Sequence, residues 1–343
     1  MDARLERDAV RAPAPPASRS GRRGLPLSDS AVKLPARAAG TVDLGEGTAV
    51  GRLGFGTMGL TGPGVWGAPP DRDEALRLLR RAADLGVELF DTADSYGPEE
   101  VELLVAEALH PYRDVLVATK GGLTRQGPGR WRKDGRPAHL RAACEGSLRR
   151  LRVDCIDLYQ LHAVDPSVPL EESLGALDDL RSAGKIRRIG VCNVDRHGLE
   201  RARAVVPVVS VQNRFSVADR SAADVLERCE AAGIAFLAWA PLAKGYLARA
   251  RGRLRRKAAA AGATPGQLAL AWVLARSPAA VPIPGTSTVQ HLEENVGAAG
   301  IRLDADDVHG LARPVPGYEA RALARRLRVR AGRAKSRIRT LRT

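Results

Sequence analysis

The length, composition and charge of this chain exclude several classes of protein. Its 343 residues are 44% hydrophobic and 27% charged, which is enough apolar material for a sizeable core. Four scattered cysteines without a Cys-x-x-Cys pair argue against a disulfide scaffold and a structural zinc site, so we expect no metal. The sequence also lacks a long apolar run and an apolar signal core, which predicts a cytoplasmic protein without a membrane span.

The net charge of +15 is concentrated at the two ends of the chain. Residues 1–40 contain eight Lys or Arg and four Asp or Glu, whereas residues 319–343 contain ten and one. The first segment is rich in Ala, Pro, Arg and Ser and is predicted to be a disordered leader, with a transit peptide as the alternative. The second is predicted to be a solvated basic tail. Its alternative is a basic amphipathic helix that contacts nucleic acid or an acidic membrane surface.

Between these ends, short apolar runs alternate with helical periods. A hairpin is predicted first, with strands TVDL and TAVGRLGFG around the turn GEG. A barrel strand near 52–57 precedes seven further strands, predicted in the runs LFDTAD, VLVATK, IDLYQLH, IGVCNV, VVSVQN, IAFLAWAPL and AVPIPGT. Helices are predicted over 72–85, 98–109, 138–150, 171–183, 195–204, 219–232, 265–276 and 289–298. This alternation predicts a (β/α)8 barrel of the TIM type over residues 41–318, with its function at the carboxyl ends of the strands.

One glycine motif in the first barrel strand is misleading. Residues 54–59 read GFGTMG, which formally matches the G-x-G-x-x-G of a dinucleotide-binding Rossmann fold. That motif must open a helix, because the helix amino terminus binds the pyrophosphate. Here the sequence continues as LTGPGVWGAPP, which cannot be helical. The Rossmann interpretation is therefore rejected.

Ionisable side chains follow or end three successive predicted strands. Asp91 ends LFD, Tyr96 follows in DTADSYG, Lys120 ends VLVATK, and His162 ends IDLYQLH. Parallel strands end at the same barrel mouth, so these four groups are predicted to meet there. Buried ionised groups are costly unless they are paired. The alternative is a structural ion pair at the barrel rim with an unrelated histidine.

The motifs FDTADSYG, VATKGG, DLYQLH, IGVCNV, VQNRFS and IPGTSTVQHLEEN resemble those of the aldo-keto reductase family, in that order. The resemblance covers about residues 45–300 and is greatest to the pyridoxal reductase branch. It implies NADPH-dependent reduction of a small aldehyde or ketone, including pyridoxal as a candidate, to an alcohol. Tyr96 would be the general acid, its pKa lowered by Lys120; Asp91 would hold Lys120, and His162 would orient the carbonyl.

The resemblance also implies a set of cofactor-binding residues, in which two departures from the family pattern stand out. Cys192 replaces the serine of a Ser-Asn pair, and Gly285 and His291 occupy positions where many members have Lys and Arg. The basic stretch RARGRLRRK at 249–257 is the nearest alternative source of positive charge for a 2′-phosphate; a solvated linker is the other interpretation. The complete implied set is Gly56, Thr57, Met58, Cys192, Asn193, Gln212, Trp239, Pro241, Leu242, Lys244, Gly285, Thr286, Ser287, His291, Glu294 and Asn295.

Two tryptophans fall in loops that face the predicted mouth. Trp66 lies in GPGVWG and Trp131 in GRWRKDG, and both are candidates for stacking against substrate, with loop packing as the alternative. A different functional class also fits the sequence. A barrel that binds the cofactor but turns over little could act as a redox-sensing regulatory subunit.

Overall fold

A computed structural model describes residues 35–312. The predictions for residues 1–34 and 313–343, which include the whole basic tail, lie outside this range. The prediction of disorder up to residue 40 is wrong for its last few residues, because Pro35–Ala39 forms a 3-10 helix. Ala36 and Ala39 are buried in this helix, and the Ala36 amide donates to the Leu85 carbonyl at 3.0 Å. Small apolar side chains thus pack this short segment onto the core.

The predicted hairpin is present and lies against the amino-terminal end of the barrel. Strands β1 (Thr41–Asp43) and β2 (Ala49–Gly51) pair antiparallel. Leu44 and Val50 from this hairpin join the inner hydrophobic cluster, which includes Leu89 and Leu158 of the barrel strands. The Arg188 side chain donates to the Gly45 carbonyl at 3.3 Å. The hairpin therefore covers the barrel end opposite the predicted site.

Eight parallel strands form the central sheet, confirming the predicted barrel fold. They are β3 (Phe55–Gly56), β4 (Leu89–Asp91), β5 (Leu116–Gly121), β8 (Ile156–Leu161), β9 (Ile186–Cys192), β10 (Val208–Arg214), β11 (Ala235–Trp239) and β12 (Ala280–Pro282). Backbone bonds from Gly54 to Pro282 (3.1 Å) and from Gly56 to Pro284 (3.2 Å) join the first strand to the last. The strands meet closely here, since a Cβ on Gly56 would lie 2.8 Å from the Ile283 carbonyl oxygen.

A second antiparallel hairpin, which the sequence did not predict, follows β5. It consists of β6 (Leu123–Arg125) and β7 (Trp131–Lys133), and Arg125 is paired directly with Trp131 across it. This hairpin projects from the carboxyl end of β5, which also carries Lys120. It therefore belongs to the mouth of the barrel.

Ten α-helices surround or extend the barrel within residues 35–312. They are α1 (Arg72–Asp84), α2 (Glu100–Leu109), α3 (Pro137–Leu151), α4 (Leu170–Ser182), α5 (Arg196–Arg203), α6 (Ala223–Ala232), α7 (Arg253–Ala260), α8 (Pro265–Arg276), α9 (Val289–Gly297) and α10 (Ala305–Leu311). The eight predicted helices are present, seven of them with shifted ends and α8 with the predicted bounds, and two more, α7 and α10, were missed.

Part of the basic stretch 249–257, interpreted from sequence as a source of charge for a 2′-phosphate or as a solvated linker, is in fact helical. Helix α7 buries Leu254 and Ala258, which are four residues apart and share one face. In the described range, no single helix is long and apolar enough to cross a membrane. Helices α7 and α8, bent by 88° at their break, meet those criteria only as a pair.

Candidate active site

A buried ion pair lies at the base of the barrel mouth. Lys120 of β5 donates from Nζ to Asp91 Oδ2 at 2.7 Å and to the Thr92 carbonyl at 2.8 Å. The other carboxylate oxygen, Oδ1, accepts from Gln212 at 2.7 Å and from Gln160 at 3.3 Å. Burial lowers the pKa of Lys120, but Asp91, Tyr96 and Cys192 more than offset this, so the pKa is raised. Lys120 is therefore a fixed positive charge.

The Tyr96 hydroxyl lies above this pair. It is 3.4 Å from Lys120 Nζ, and the residue is 5% exposed. Burial raises the pKa of Tyr96 to about 12, although the Lys120 ammonium lowers it. The expected lowering of the tyrosine pKa below its usual value is therefore wrong for this structure, because desolvation of the phenolate outweighs the nearby cation. The phenol is protonated at neutral pH and can donate a proton.

His162 follows β8 and faces Tyr96 across the mouth. The two ring centroids are 5.8 Å apart at an interplanar angle of 79°, and His162 Nδ1 is 3.5 Å from Ser95 Oγ. Burial, followed by the positive charge of Lys120, holds the pKa of His162 well below its usual value. A neutral imidazole can hydrogen-bond a carbonyl oxygen without adding a second cation to the site.

The His162 imidazole is expected to remain neutral at pH 6.5, where an unperturbed histidine is about half protonated. Burial and Lys120 both disfavour the imidazolium ion. The ring ¹⁵N chemical shifts, followed by NMR from pH 5 to 8, measure its protonation, and a His162→Gln variant assigns its signals. A His162 titration midpoint at pH 6.5 or above would contradict the assigned neutral state.

A cleft of roughly 680 Å³ extends from these side chains toward the start of α9. Asp91, Tyr96 and His162 line one end of it. Most of the residues implied for the cofactor or the substrate also line this cleft, namely Gly56, Met58, Trp131, Asn193, Gln212, Trp239, Pro241, Leu242, Lys244, Gly285, Thr286, His291, Glu294 and Asn295. Residues from distant parts of the sequence thus share one continuous wall.

Five predicted site residues lie outside the cleft lining. Lys120 lies beneath it, and Thr57 Oγ1 donates to the Asp91 carbonyl at 2.9 Å. Cys192 is buried with its Sγ 3.7 Å from Gln160 Oε1, so its thiol contacts the barrel interior and not the cleft. Trp66 and Ser287 are exposed outside the lining.

The amide of Asn193 joins two other residues of the mouth. Its Nδ2 donates to the His162 carbonyl at 3.1 Å, and its Oδ1 accepts from Trp239 Nε1 at 3.0 Å. Asn193 has a left-handed backbone with φ of 59°, which turns the chain directly after β9. Asparagine tolerates this conformation better than most residues. The indole of Trp239 is thereby held in the cleft wall by a specific hydrogen bond.

The sequence interpretation missed Gln160, which contacts Asp91, Cys192 and Gln212. A signal was present, because Gln160 is a polar residue within an apolar strand and lies two positions before His162, on the same side of that strand. Several further residues of the cleft lining were also not assigned to the site. They are Gly59, Leu123, Ala240, Gly245, Ala248, Ile283 and Pro284, whereas Arg249 was named only as part of the basic stretch 249–257.

Comparison with known families decides the classification. A model of the Aldo/keto reductase family matches residues 52–313 of this chain. The chain belongs to the aldo/keto reductase family. The prediction of an oxidoreductase of this family is therefore confirmed. Within residues 35–312, the structure shows no group of three or more His, Cys, Asp or Glu side chains that could hold a metal ion.

Named relatives of this aldo/keto reductase include a dehydrogenase of pyridoxine. The chain is 39% identical over 264 residues to pyridoxine 4-dehydrogenase of Escherichia coli, covering 75% of this chain and 92% of the relative. It is 46% identical over 271 residues to an uncharacterized oxidoreductase of Schizosaccharomyces pombe, covering 79% and 88%.

Solved structures of the family superimpose on the barrel. The glycerol dehydrogenase of Gluconobacter oxydans gives a TM-score of 0.74 at 29% identity, covering 82% of this chain and 97% of that one. An aldo-keto reductase of Klebsiella pneumoniae in complex with NADPH gives 0.68 at 29% identity, covering 80% and 95%.

Proposed function

We propose that this protein reduces an aldehyde or ketone to an alcohol with NADPH, using Tyr96 as the proton donor. The observation that carries the proposal is the placement of the protonated Tyr96 hydroxyl beside the buried Lys120–Asp91 pair, at one end of a long cleft. The named Escherichia coli relative makes pyridoxal, the aldehyde counterpart of pyridoxine, the first substrate to test.

The cleft has the size and chemistry that a dinucleotide requires. Its volume of roughly 680 Å³ lies within the usual range for cofactor sites. Near Tyr96, Trp239 offers a flat ring, and Asn193 and Gln212 offer amides for a carboxamide. At the far end, the wall contains Thr286, Glu294 and Asn295. The amino terminus of α9, capped by Thr288, provides a favourable field for phosphate there.

Each residue of the mouth has a defined part in the proposed reaction. When bound, NADPH supplies a hydride to the carbonyl carbon. Tyr96 donates its hydroxyl proton to the carbonyl oxygen, on which negative charge develops. Lys120, fixed by Asp91, stabilises the negative charge left on the tyrosine oxygen. The neutral imidazole of His162 donates a hydrogen bond that orients the carbonyl oxygen toward Tyr96.

Turnover with a panel of aldehydes and ketones, including pyridoxal, tests the proposal. The purified protein should oxidise NADPH at a rate that depends on the carbonyl concentration, followed as loss of absorbance at 340 nm, and should form the corresponding alcohol. In the reverse direction, NADP⁺ should be reduced with pyridoxine if pyridoxal is a substrate. Tight NADPH binding without oxidation by any carbonyl in the panel would favour the redox-sensing alternative.

The preference for NADPH over NADH is expected to depend on Arg249. The whole basic stretch was a candidate source of charge, but the Arg253 side chain donates to the Gly310 carbonyl at 3.1 Å, and Lys257 pairs with Asp307. Of the cations in this stretch, Arg249 lines the cleft, as does Lys244 just before it. We therefore propose Arg249 as the contact for the 2′-phosphate.

Arg249→Glu should weaken NADPH binding by about tenfold, or ~1.4 kcal/mol, and leave NADH binding nearly unchanged. Dissociation constants are measured by quenching of protein fluorescence. Those of the wild type and of Arg249→Glu for NADPH should converge as salt rises, because Arg249 is exposed. Arg251→Glu is the matched control, since Arg251 is exposed but lies outside the lining. Equal weakening of both cofactors would instead indicate a disturbed loop. No change would assign the preference to Thr286 and the start of α9.

A further inference from the structure

We propose that Arg125 is a positioning residue that fixes the substrate wall of the active site and sets its preference for aromatic carbonyl compounds. The inference rests on the proposed reductase function and adds a residue that does not contact the cofactor cleft. Arg125 ends β6, in the hairpin that follows β5. It lies outside the cleft lining, whereas its cross-strand partner Trp131 lies in it.

The guanidinium group of Arg125 connects three separate segments of the barrel mouth. It donates to the Ser95 carbonyl at 2.9 Å, in the loop that carries Tyr96. It also donates to the carbonyls of Gly64, at 2.7 Å, and Val65, in the loop between β3 and α1. The third segment is its own hairpin, where it bonds the Arg130 carbonyl at 3.4 Å. A single planar group with five N–H donors can satisfy such dispersed acceptors, whereas lysine cannot.

The same guanidinium stacks on the indole of Trp131. Its central carbon lies 3.8 Å from the ring centroid, within the range of a cation–π contact. Because Trp131 borders the cleft and Arg125 does not, Arg125 supports the indole from behind. Trp131 is also edge-on to Tyr96, at 6.4 Å and 87°, and to His162, at 6.3 Å and 71°. The position of Trp131 thus depends on Arg125. Its indole borders Tyr96 and His162, the two groups that face the substrate.

The wall that Arg125 supports is apolar and aromatic. Trp131 is 37% exposed and Met58 is 38% exposed, and both line the cleft, as does Leu123. Aromatic rings favour stacked or edge-to-face contacts with other rings. A carbonyl attached to a flat ring would gain from a fixed indole, whereas a short aliphatic aldehyde would gain little. The loss of Arg125 should therefore act on the Michaelis constant of aromatic substrates.

The test compares 4-nitrobenzaldehyde and propanal as substrates, with NADPH, for the wild type, Arg125→Gln and Arg125→Lys. We expect Arg125→Gln to raise KM for 4-nitrobenzaldehyde by about tenfold, with kcat changed less than about threefold. The effect on propanal should stay below about threefold, and the Kd for NADPH should be unchanged. Arg125→Lys keeps the charge but loses the fork geometry, so its KM should be intermediate. Arg132→Gln, at an exposed position in the same hairpin, is the control.

A second measurement separates positioning from a general loss of structure. Trp131→Leu should raise KM for 4-nitrobenzaldehyde to a similar extent, and adding Arg125→Gln to it should have no further effect. Equal losses for both aldehydes, independent effects of the two substitutions, or an unchanged KM in Arg125→Gln would overturn the inference while leaving the reductase function intact. A wild type that reduces neither aldehyde would overturn this inference, and only inactivity with the whole carbonyl panel would overturn the reductase proposal as well.

Discussion

Replacing Tyr96 with phenylalanine is expected to lower kcat for carbonyl reduction by at least about 100-fold, the usual scale for loss of a general acid. The variant keeps the ring, which packs edge-on against Trp131 and His162. It loses only the hydroxyl that lies 3.4 Å from Lys120 Nζ. NADPH should therefore bind with an unchanged Kd while steady-state oxidation of NADPH by an aldehyde collapses.

Tyr112→Phe is the matched control for this substitution. The Tyr112 hydroxyl donates to the Leu151 carbonyl at 2.9 Å, outside the cleft lining, so its loss should cost about 1 kcal/mol of stability and leave kcat unchanged. Because the pKa of Tyr96 is raised to about 12, the wild type should also keep its protonated donor throughout the pH range 6–9. Near wild-type turnover of Tyr96→Phe would show that another group donates the proton.

Removing either member of the Lys120–Asp91 pair should strongly destabilise the fold and abolish reduction. The two side chains are 0% and 3% exposed. Lys120→Met leaves a buried carboxylate without its cation, which costs about 3–5 kcal/mol. Asp91→Asn leaves the buried Lys120 ammonium without its carboxylate partner. The double variant contains neither charge, so its destabilisation should be smaller than the sum of the two single effects.

Urea denaturation gives the free energy of unfolding of each variant, and NADPH oxidation gives its activity. The control is Arg141→Met, which breaks an exposed pair with Asp179 and should cost less than about 1 kcal/mol. We expect the double variant to regain stability but not activity, because Tyr96 loses its neighbouring cation. Additive destabilisation would contradict the assigned coupling, and retained activity in Lys120→Met would exclude Lys120 from the proton transfer.

The sequence anticipated the position of these groups better than their electrostatics. An apolar run ends at or just before each of Asp91, Lys120 and His162. Parallel strands bring such ends together independently of the loop conformations. The pKa of Tyr96 was expected to fall because Lys120 is near. The direction of the pKa shift depends on how completely the Tyr96 hydroxyl is removed from water, and this burial is a property of the folded barrel mouth.

Other parts of the site depend on contacts between segments that are distant in sequence. Cys192 was placed on the cofactor by its position beside Asn193, yet its thiol contacts Gln160 in the barrel interior. Arg249 and Arg253 are indistinguishable as members of a basic run. In the structure, Arg253 at the start of α7 bonds the Gly310 carbonyl, whereas Arg249 lines the cleft. Charge composition does not specify which cation faces a ligand.

The sequence by itself determined the barrel, the chain order of its strands and the side chains at their carboxyl ends. Those features follow from local periodicity and from the few ways in which alternating strands and helices can pack. Only the tertiary structure decided how Arg125 joins three segments behind Trp131, and how burial controls the protonation of Tyr96 and His162. Desolvation and contacts between distant segments arise from the folded surroundings of a residue, and no local pattern encodes them.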